Sequence, residues 1–391
     1  AATRVAVAPT VDGVLDEEQW ALGEPLAGFV QKEPSDGEPA TEATEVRVLY
    51  DERTLYVGVR LLDSDPSGIV DGESQRDYTL EDSDALLLIF DTFRDEQNGF
   101  VFGTNPTGIE YDGQVANEGR GGGFFLGGGL SRGRFSAGSG GGFNVNWDGN
   151  WRVATSRDGQ GWYAEFAIPF STLRYAAGGS SQAWGFNVMR RIRRRNETSF
   201  WSPVPRQFDL YRLNYAGVLE GLEPPTQRFV QVTPYALQSA RRDWETGDPD
   251  FAYPGEVGGD AKVQITQGLT LDATYNTDFA QVEVDEAQVN LSRFSLFFPE
   301  KRPFFLENAG FFSVGGGNAD LFFSRRIGIG PGGAQVPIQG GGRLSGKVGS
   351  YNVGLLHIRT DGLEGVQPEN AYSVVRLARE LPNRSRIGAA F

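Results

Sequence analysis

Cysteine is absent from the 391 residues, which removes disulfides, thiolate metal sites and cysteine nucleophiles together and leaves the redox compartment unmarked. Histidine occurs once, as His357, on a stretch that reads as a strand; any Ser-His-Asp triad would have to use it, and no GxSxG elbow lies nearby. Zinc has neither a second histidine nor a thiol to hold it. Long apolar runs are missing as well: the longest is Ala85 to Phe90, far below the ~20 residues a membrane helix needs, so no helix is expected to span a membrane. The N-terminal AATRVAVAP has no basic start followed by a hydrophobic core, so no signal peptide is expected within these residues, and an exported chain would be the mature form. No GxxxxGK[ST] phosphate loop appears. Basic surface is the last shortage, since 36 Lys and Arg face 51 Asp and Glu for a net charge of −15, and nothing supplies the broad positive face that nucleic acid requires.

What the chain has in plenty is glycine, 53 residues, and aromatic side chains, 12 % of the total, with turn signals every ten or so residues. That pattern predicts an all-β protein, and the length suits two or three domains. Residues 1–225 read as a β-sandwich. Val46, Val48 and Tyr50 alternate with polar residues, Asp51 to Thr54 form a turn, and Leu55, Val57, Val59 and Leu61 resume the alternation, the period of a hairpin with one buried face. Trp151, Val153 and Thr155 repeat the device with Trp162, Ala164, Phe166 and Ile168, ended by Pro169. Near the start, Asp16 is placed to cap a short helix that carries Trp20 as a core anchor.

Polar clusters mark the candidate sites. Asp82, Asp84, Asp91, Asp95 and Asn98 flank the apolar strand 85–90; short carboxylates at strand ends can hold Ca²⁺, with Asp91 and Asp95 as the expected ligands, or can simply form turns. Trp147, in the loop-like NVNWDGNW, is the aromatic expected to be exposed for stacking on a sugar, with Arg94 and Asn98 supplying polar contacts. Residues 119–142 are a glycine-rich excursion between sandwich strands, expected to be a flexible loop or a grip for a protein partner. In WGFNVMRRIRRRN, strand alternation would place Arg191, Arg193 and Arg195 on one face and Arg190 and Arg194 on the other, paired with the plentiful carboxylates.

Past Glu223-Pro224-Pro225 the strands lengthen, and residues 226–391 read as a barrel-type domain. Leu269, Leu271, Ala273 and Tyr275 alternate with Thr270, Asp272, Thr274 and Asn276; Ala261, Val263 and Ile265 do the same before a Gln267-Gly268 turn. One apolar and one polar face is what a strand between lipid and a hydrated lumen shows. Another hairpin turns at Gly349-Ser350, and strands at 372–378 and 386–391 follow. Within this half lies FSLFFPEKRPFFLENAGFF, residues 294–312, where Pro299 and Pro303 exclude a regular helix or central strand and the rings demand cover.

That segment, together with DFAQVEVDEAQVNL before it, FFSRRIG after it, and WYAEFAIPFSTLRY, WGFNVMRRIRR and FWSPVPR earlier, resembles the DUF5916 type of bacterial outer-membrane protein. Members join a domain like carbohydrate-binding module family 9 to a β-barrel. The resemblance implies export to the outer membrane and cell surface, lipid around the barrel, and glycan binding or uptake by the sandwich. It also implies a larger barrel than 226–391 can close, so the chain is expected to stop partway round. The aromatic segment would be a plug or docking loop in which Lys301 and Arg302 meet acidic lumen residues, with Glu300 and Glu307 structural. A protein-binding assembly role is an alternative, and so is a glycoside hydrolase, which needs only two carboxylates.

Overall fold

The computed structural model describes residues 1–119, 142–176, 181–226, 228–238, 240, 253, 255–277, 300–312, 315–316, 319–320, 322–331, 335–363, 365, 367–381 and 385–391. They fall into two compact units, the second beginning at Arg228. Among the described residues no helix is long and apolar enough to cross a membrane. The glycine-rich 120–141, the acidic run 278–293 and Phe294 to Pro299 of the aromatic segment lie outside the described residues.

The first unit is built from β1 (Thr3–Arg4), β2 (Val30–Glu33), β3 (Thr44–Tyr50), β4 (Thr54–Leu62), β5 (Ala85–Asp91), β6 (Gly99–Thr104), β7 (Tyr111–Val115), β8 (Phe143–Asn144), β9 (Arg152–Arg157), β10 (Gly161–Pro169), β11 (Gln182–Ile192), β12 (Glu197–Phe200) and β13 (Gly217–Leu222). One sheet runs β1-β3-β4-β10-β9; the other runs β2-β12-β11-β5-β6-β7-β8, with β13 also on β11. Both expected hairpins form. Val46 faces Val59 and Tyr50 faces Leu55, while Asp51 Oδ1 accepts the N–H groups of Arg53 and Thr54 at 2.7 and 2.8 Å to fix the turn. The unbroken apolar run of β5 has a simple cause. Leu86, Leu88 and Phe90 enter the core between the sheets, while Ala85, Leu87 and Ile89 enter a second core on the outer face with Val204, Leu210 and Leu213. A strand buried on both sides loses its alternation.

Two local expectations change. The short helix is Glu18–Leu22 with Glu17, not Asp16, at its N-cap, and no side chain caps it. Trp20 is buried as expected, its Nε1–H donated to Glu165 Oε1 at 2.8 Å. The arginine run leaves the strand: β11 ends at Ile192 and Arg193–Arg195 form a single 3-10 turn, so alternation cannot sort the last three side chains. Arg194 pairs with Asp63 at 2.6 Å and Arg195 with Glu42; Arg190 points inward and donates to the carbonyls of Ala43 and Leu62 and to Thr44.

The second unit is one antiparallel meander of β14 (Val230–Gln238), β15 (Gly255–Thr266), β16 (Leu269–Tyr275), β19 (Ile338–Val348), β20 (Tyr351–Thr360), β21 (Asn370–Leu381) and β22 (Ser385–Ala390), in that order. A two-stranded pair, β17 (Gly315–Gly316) with β18 (Ala319–Asp320), stands apart. The expected turns at Gln267-Gly268 and Gly349-Ser350 join β15 to β16 and β19 to β20; Gly349 takes φ +58, the positive value a two-residue hairpin asks of its first turn residue. Among the described residues the seven strands form an open sheet and not a closed barrel. Pro234 sits in β14, an edge strand, where a missing N–H costs least.

Candidate functional site

The sheet of the second unit has two unlike faces. Cross-strand register puts Val230, Val263, Leu271, Leu344, Leu355 and Val375 in one row, and Val375 exchanges backbone bonds with Phe391, so one apolar line crosses the whole meander. This row faces outward: Val230 is 63 % exposed, Val375 44 % and Leu355 37 %. The opposite face is largely covered and mixes polar and charged side chains with the buried Leu356 and Ile358. Its rows read Gln264, Thr270, Ser345, Gly354, Arg376 and Lys262, Asp272, Arg343, Leu356. Strand alternation alone sends these neighbours to opposite sides.

The aromatic segment covers the polar face. Pro303 opens one helical turn, Pro303–Leu306, at the first helical position, where its missing N–H is harmless, and no helix runs through it. Phe304, Phe305 and Phe312 pack on Ile338, Leu356 and Ile358. Gly354 lies under the tip, where a Cβ would stand 3.1 Å from the Phe311 carbonyl and 3.2 Å from the Phe312 ring. Charges fasten the rest. Lys262 pairs with Glu307, Arg343 donates to Asp272 at 3.2 Å and to the Glu307 carbonyl, and Arg376 donates to the Gly310 and Phe311 carbonyls at 3.1 and 2.8 Å.

Arg302, expected to meet acidic residues, pairs with an acid of its own segment. Its guanidinium is fully buried and gripped by Glu300 two residues earlier, Nε to Oε1 and Nη2 to Oε2 at 2.8 Å each. It also donates to the carbonyls of Ile327 and Ser324 at 2.7 and 3.0 Å and lies 4.4 Å from the Phe305 ring centre. Glu300 additionally accepts the Ser324 hydroxyl at 2.8 Å. A carboxylate so fully engaged is a structural anchor, not a free acid or base. His357 stands on β20 with its Nδ1 2.9 Å from Ser373 Oγ across the strand pair.

In the first unit the expected sugar platform is overturned. Trp147 is only 5 % exposed and sits in the inter-sheet core, 5.3 Å from Phe100 and 6.2 Å from Phe102 between ring centres. Its loop bends inward because Phe100 and Phe102 leave an apolar slot at the sheet end, a tertiary feature that the polar residues around it hide. Arg94 is exposed with φ +53, and Asn98 donates its side-chain N–H to Asp95 Oδ2 at 2.9 Å. The two aspartates proposed for calcium organise this same turn. Asp91 accepts the N–H groups of Asp95 and Glu96 at 3.1 and 2.7 Å, and Asp95 those of Gln97 and Asn98 at 2.8 Å each. Among the described residues no group of three or more acidic or histidine side chains is arranged to hold a metal ion.

Sequence reading passed over a polar centre some residues away. Arg76, in the segment before β5, reaches Asp148 at 2.6 Å, Glu110 at 2.7 Å, Asp112 at 3.0 Å and Asp77 at 3.5 Å. Asp112 lies on β7 with its side chain wholly buried, and its second oxygen accepts the Gly149 N–H at 2.6 Å. Burial pushes Asp112 up to about 7 against the pull of that N–H and of Arg76; burial likewise pushes Asp77 up to about 6. The sequence signal was thin, since Glu110 and Asp112 are only two residues apart at the start of a strand and only the fold brings Arg76 and Asp148 to them.

The fold and sites define an all-β protein of two units, a two-sheet sandwich and a seven-stranded meander with an outward apolar face. The domain of unknown function DUF5916 matches residues 224–341. The chain is similar to a carbohydrate-binding module of family 9 from Caldicellulosiruptor kristjanssonii in complex with glucose, at 14 % identity over 56 % of this chain and 94 % of that one, with a TM-score of 0.36. A structure of a family 9 module from the same organism in complex with cellotriose gives 13 % identity, 56 % and 92 % coverage and a TM-score of 0.35. Comparison with curated proteins finds no match.

Proposed function

We propose that the second unit is part of an outer-membrane-type β-barrel, with lipid on its apolar face and the 300–312 segment on its inner side, and that the first unit is a sandwich in water that binds glycan and aids its uptake. One observation supports the membrane part: the row from Val230 to Val375 is apolar across six strands and continues to Phe391, while Asp272 and Arg343 lie buried behind it. In water this arrangement would leave a continuous apolar row wet, while the charges behind it are paired on either reading. In lipid the outer row is solvated by acyl chains and the paired ions face the lumen. The reading requires partner strands at the outer edges of β14 and β22, because hydrocarbon satisfies no backbone N–H or C=O.

Glycan binding rests on the chemistry of the first unit. Arg76 with Glu110 and Asp148 offers donors and acceptors of the kind that sugar hydroxyls use, at the surface of a rigid sandwich. The experiment has two parts. The full chain is purified with and without detergent, and monodisperse behaviour only with detergent is the expected result; a monodisperse chain without it ends the membrane reading. The detergent-held chain is then put on a glycan array, with Arg76→Ala expected to lose the bound glycan. An array without binding, alongside a co-purifying protein, would replace glycan by a protein-binding assembly role.

A further inference from the structure

The centre at Arg76 joins three pieces of chain that are distant in sequence: the segment before β5 through Arg76 and Asp77, strand β7 through Asp112 with Glu110 just ahead of it, and the stretch 145–151 through Asp148 and Gly149. The last piece carries Trp147 and Trp151, both buried in the inter-sheet core. Asp112 is the hub, since it holds Arg76 with one oxygen and the Gly149 N–H with the other. Gly149 is packed so closely that a Cβ would stand 2.7 Å from the Trp147 ring. One guanidinium therefore serves four carboxylates, and the one that ties the pieces together has no contact with water.

We propose that Arg76, Asp112 and Asp148 form a latch that holds residues 142–151 closed in mildly acidic medium and loosens as the medium becomes alkaline. The sign follows from charge and burial. With all four carboxylates ionised the cluster carries an excess of three negative charges, and the ionised Asp112 is held away from water. Opening would hydrate Asp112 and separate the acids, so ionisation favours the open form and protonation the closed one. The groups facing Asp112 are Arg76 and Asp77 from the preceding segment, Tyr111 from its own strand with Glu110 just ahead of it, and Asp148 from the held piece. The upward displacement of Asp112 to about 7 and of Asp77 to about 6 places the change between pH 5 and 8. A closed form that holds its proton to about pH 7, against an open form with an ordinary aspartate, changes the opening equilibrium by roughly tenfold to a hundredfold across that range.

Hydrogen exchange on the full chain, read by mass spectrometry from pH 5 to 9 and corrected for the intrinsic exchange rate, tests the latch. Protection in peptides covering 142–151 is expected to fall by tenfold to a hundredfold between pH 5 and 8 and then level off, while peptides from β4 and β5 stay constant. Asp112→Asn is expected to flatten the profile. Glu110→Gln and Asp148→Asn, on side chains that water reaches, each remove one surplus charge, ease the ionisation of Asp112 and are expected to move the fall to lower pH; they serve as the test if Asp112→Asn does not fold. A flat profile in the natural chain, a fall shared by β4 and β5, or an unmoved profile in both charge-removing variants overturns the proposal.

Discussion

Leu355→Arg separates a lipid-facing sheet from a water-facing one. Leu355 lies outward on β20 between Leu344 and Val375. The turn at Gly349-Ser350 marks one end of the hairpin, and there Tyr351 stands beside Arg379, whose guanidinium is 5.6 Å from the ring centre, an aromatic and a cation of the kind found at a membrane interface. Four residues further along the strand, Leu355 is ~13 Å from Tyr351 at the usual rise. With a strand tilt of about 40° that becomes a depth of ~10 Å, close to the middle of an apolar band ~25 Å tall. Arginine at such a depth costs about 2 to 4 kcal/mol, a factor of roughly 30 to 900 in the folding equilibrium. On a water-facing sheet the same exchange at a part-exposed site would stay within about 0.5 kcal/mol. The assay is denaturant unfolding of the full chain in lipid vesicles, followed by tryptophan fluorescence. A change below about 0.5 kcal/mol would refute the lipid assignment of this face.

Arg302→Met leaves the buried Glu300 without its cation, and a loss of about 3 to 5 kcal/mol is expected in the same unfolding assay, largely recovered by adding Glu300→Gln. Trp147→Ala opens a cavity beside Phe100 and Phe102 and should cost about 3 to 5 kcal/mol, read as a lower Tm of the sandwich, whether or not glycan is present. Because Asp91 and Asp95 already satisfy four backbone N–H groups, chelation by EDTA is expected to leave the Tm unchanged; a drop that calcium restores would put the ion at this turn. Gly354→Val pushes a branched side chain into the Phe311 carbonyl and the Phe312 ring, and faster proteolysis within 300–312 should report the displaced segment.

What was legible in the sequence was whatever a local period encodes. Alternation on β3, β4, β9, β10, β15 and β16 gave the strands and their faces, and Gly349-Ser350 gave a turn, because side chains two apart share a face whatever lies around them. The two unlike faces of the second sheet were written there too, as apolar residues interleaved with Thr270, Asp272 and Thr274. Local pattern could not say which face is covered, since a soluble sandwich alternates in the same way. Burial of Arg343 and exposure of Val375 decided that.

Contacts across long sequence distances were decided only by the tertiary structure. Trp147 in a polar loop looked available, yet the slot beside Phe100 and Phe102 took it inward. Arg302 was sent towards distant acids, yet Glu300 was near enough to take two of its three nitrogens. Arg76 and Asp148 stand 72 residues apart and became partners only when β7 and its neighbouring segments were packed together. A sequence fixes which groups carry charge or apolar surface; which of them meet depends on how the sheets close, and that is a property of the whole folded chain.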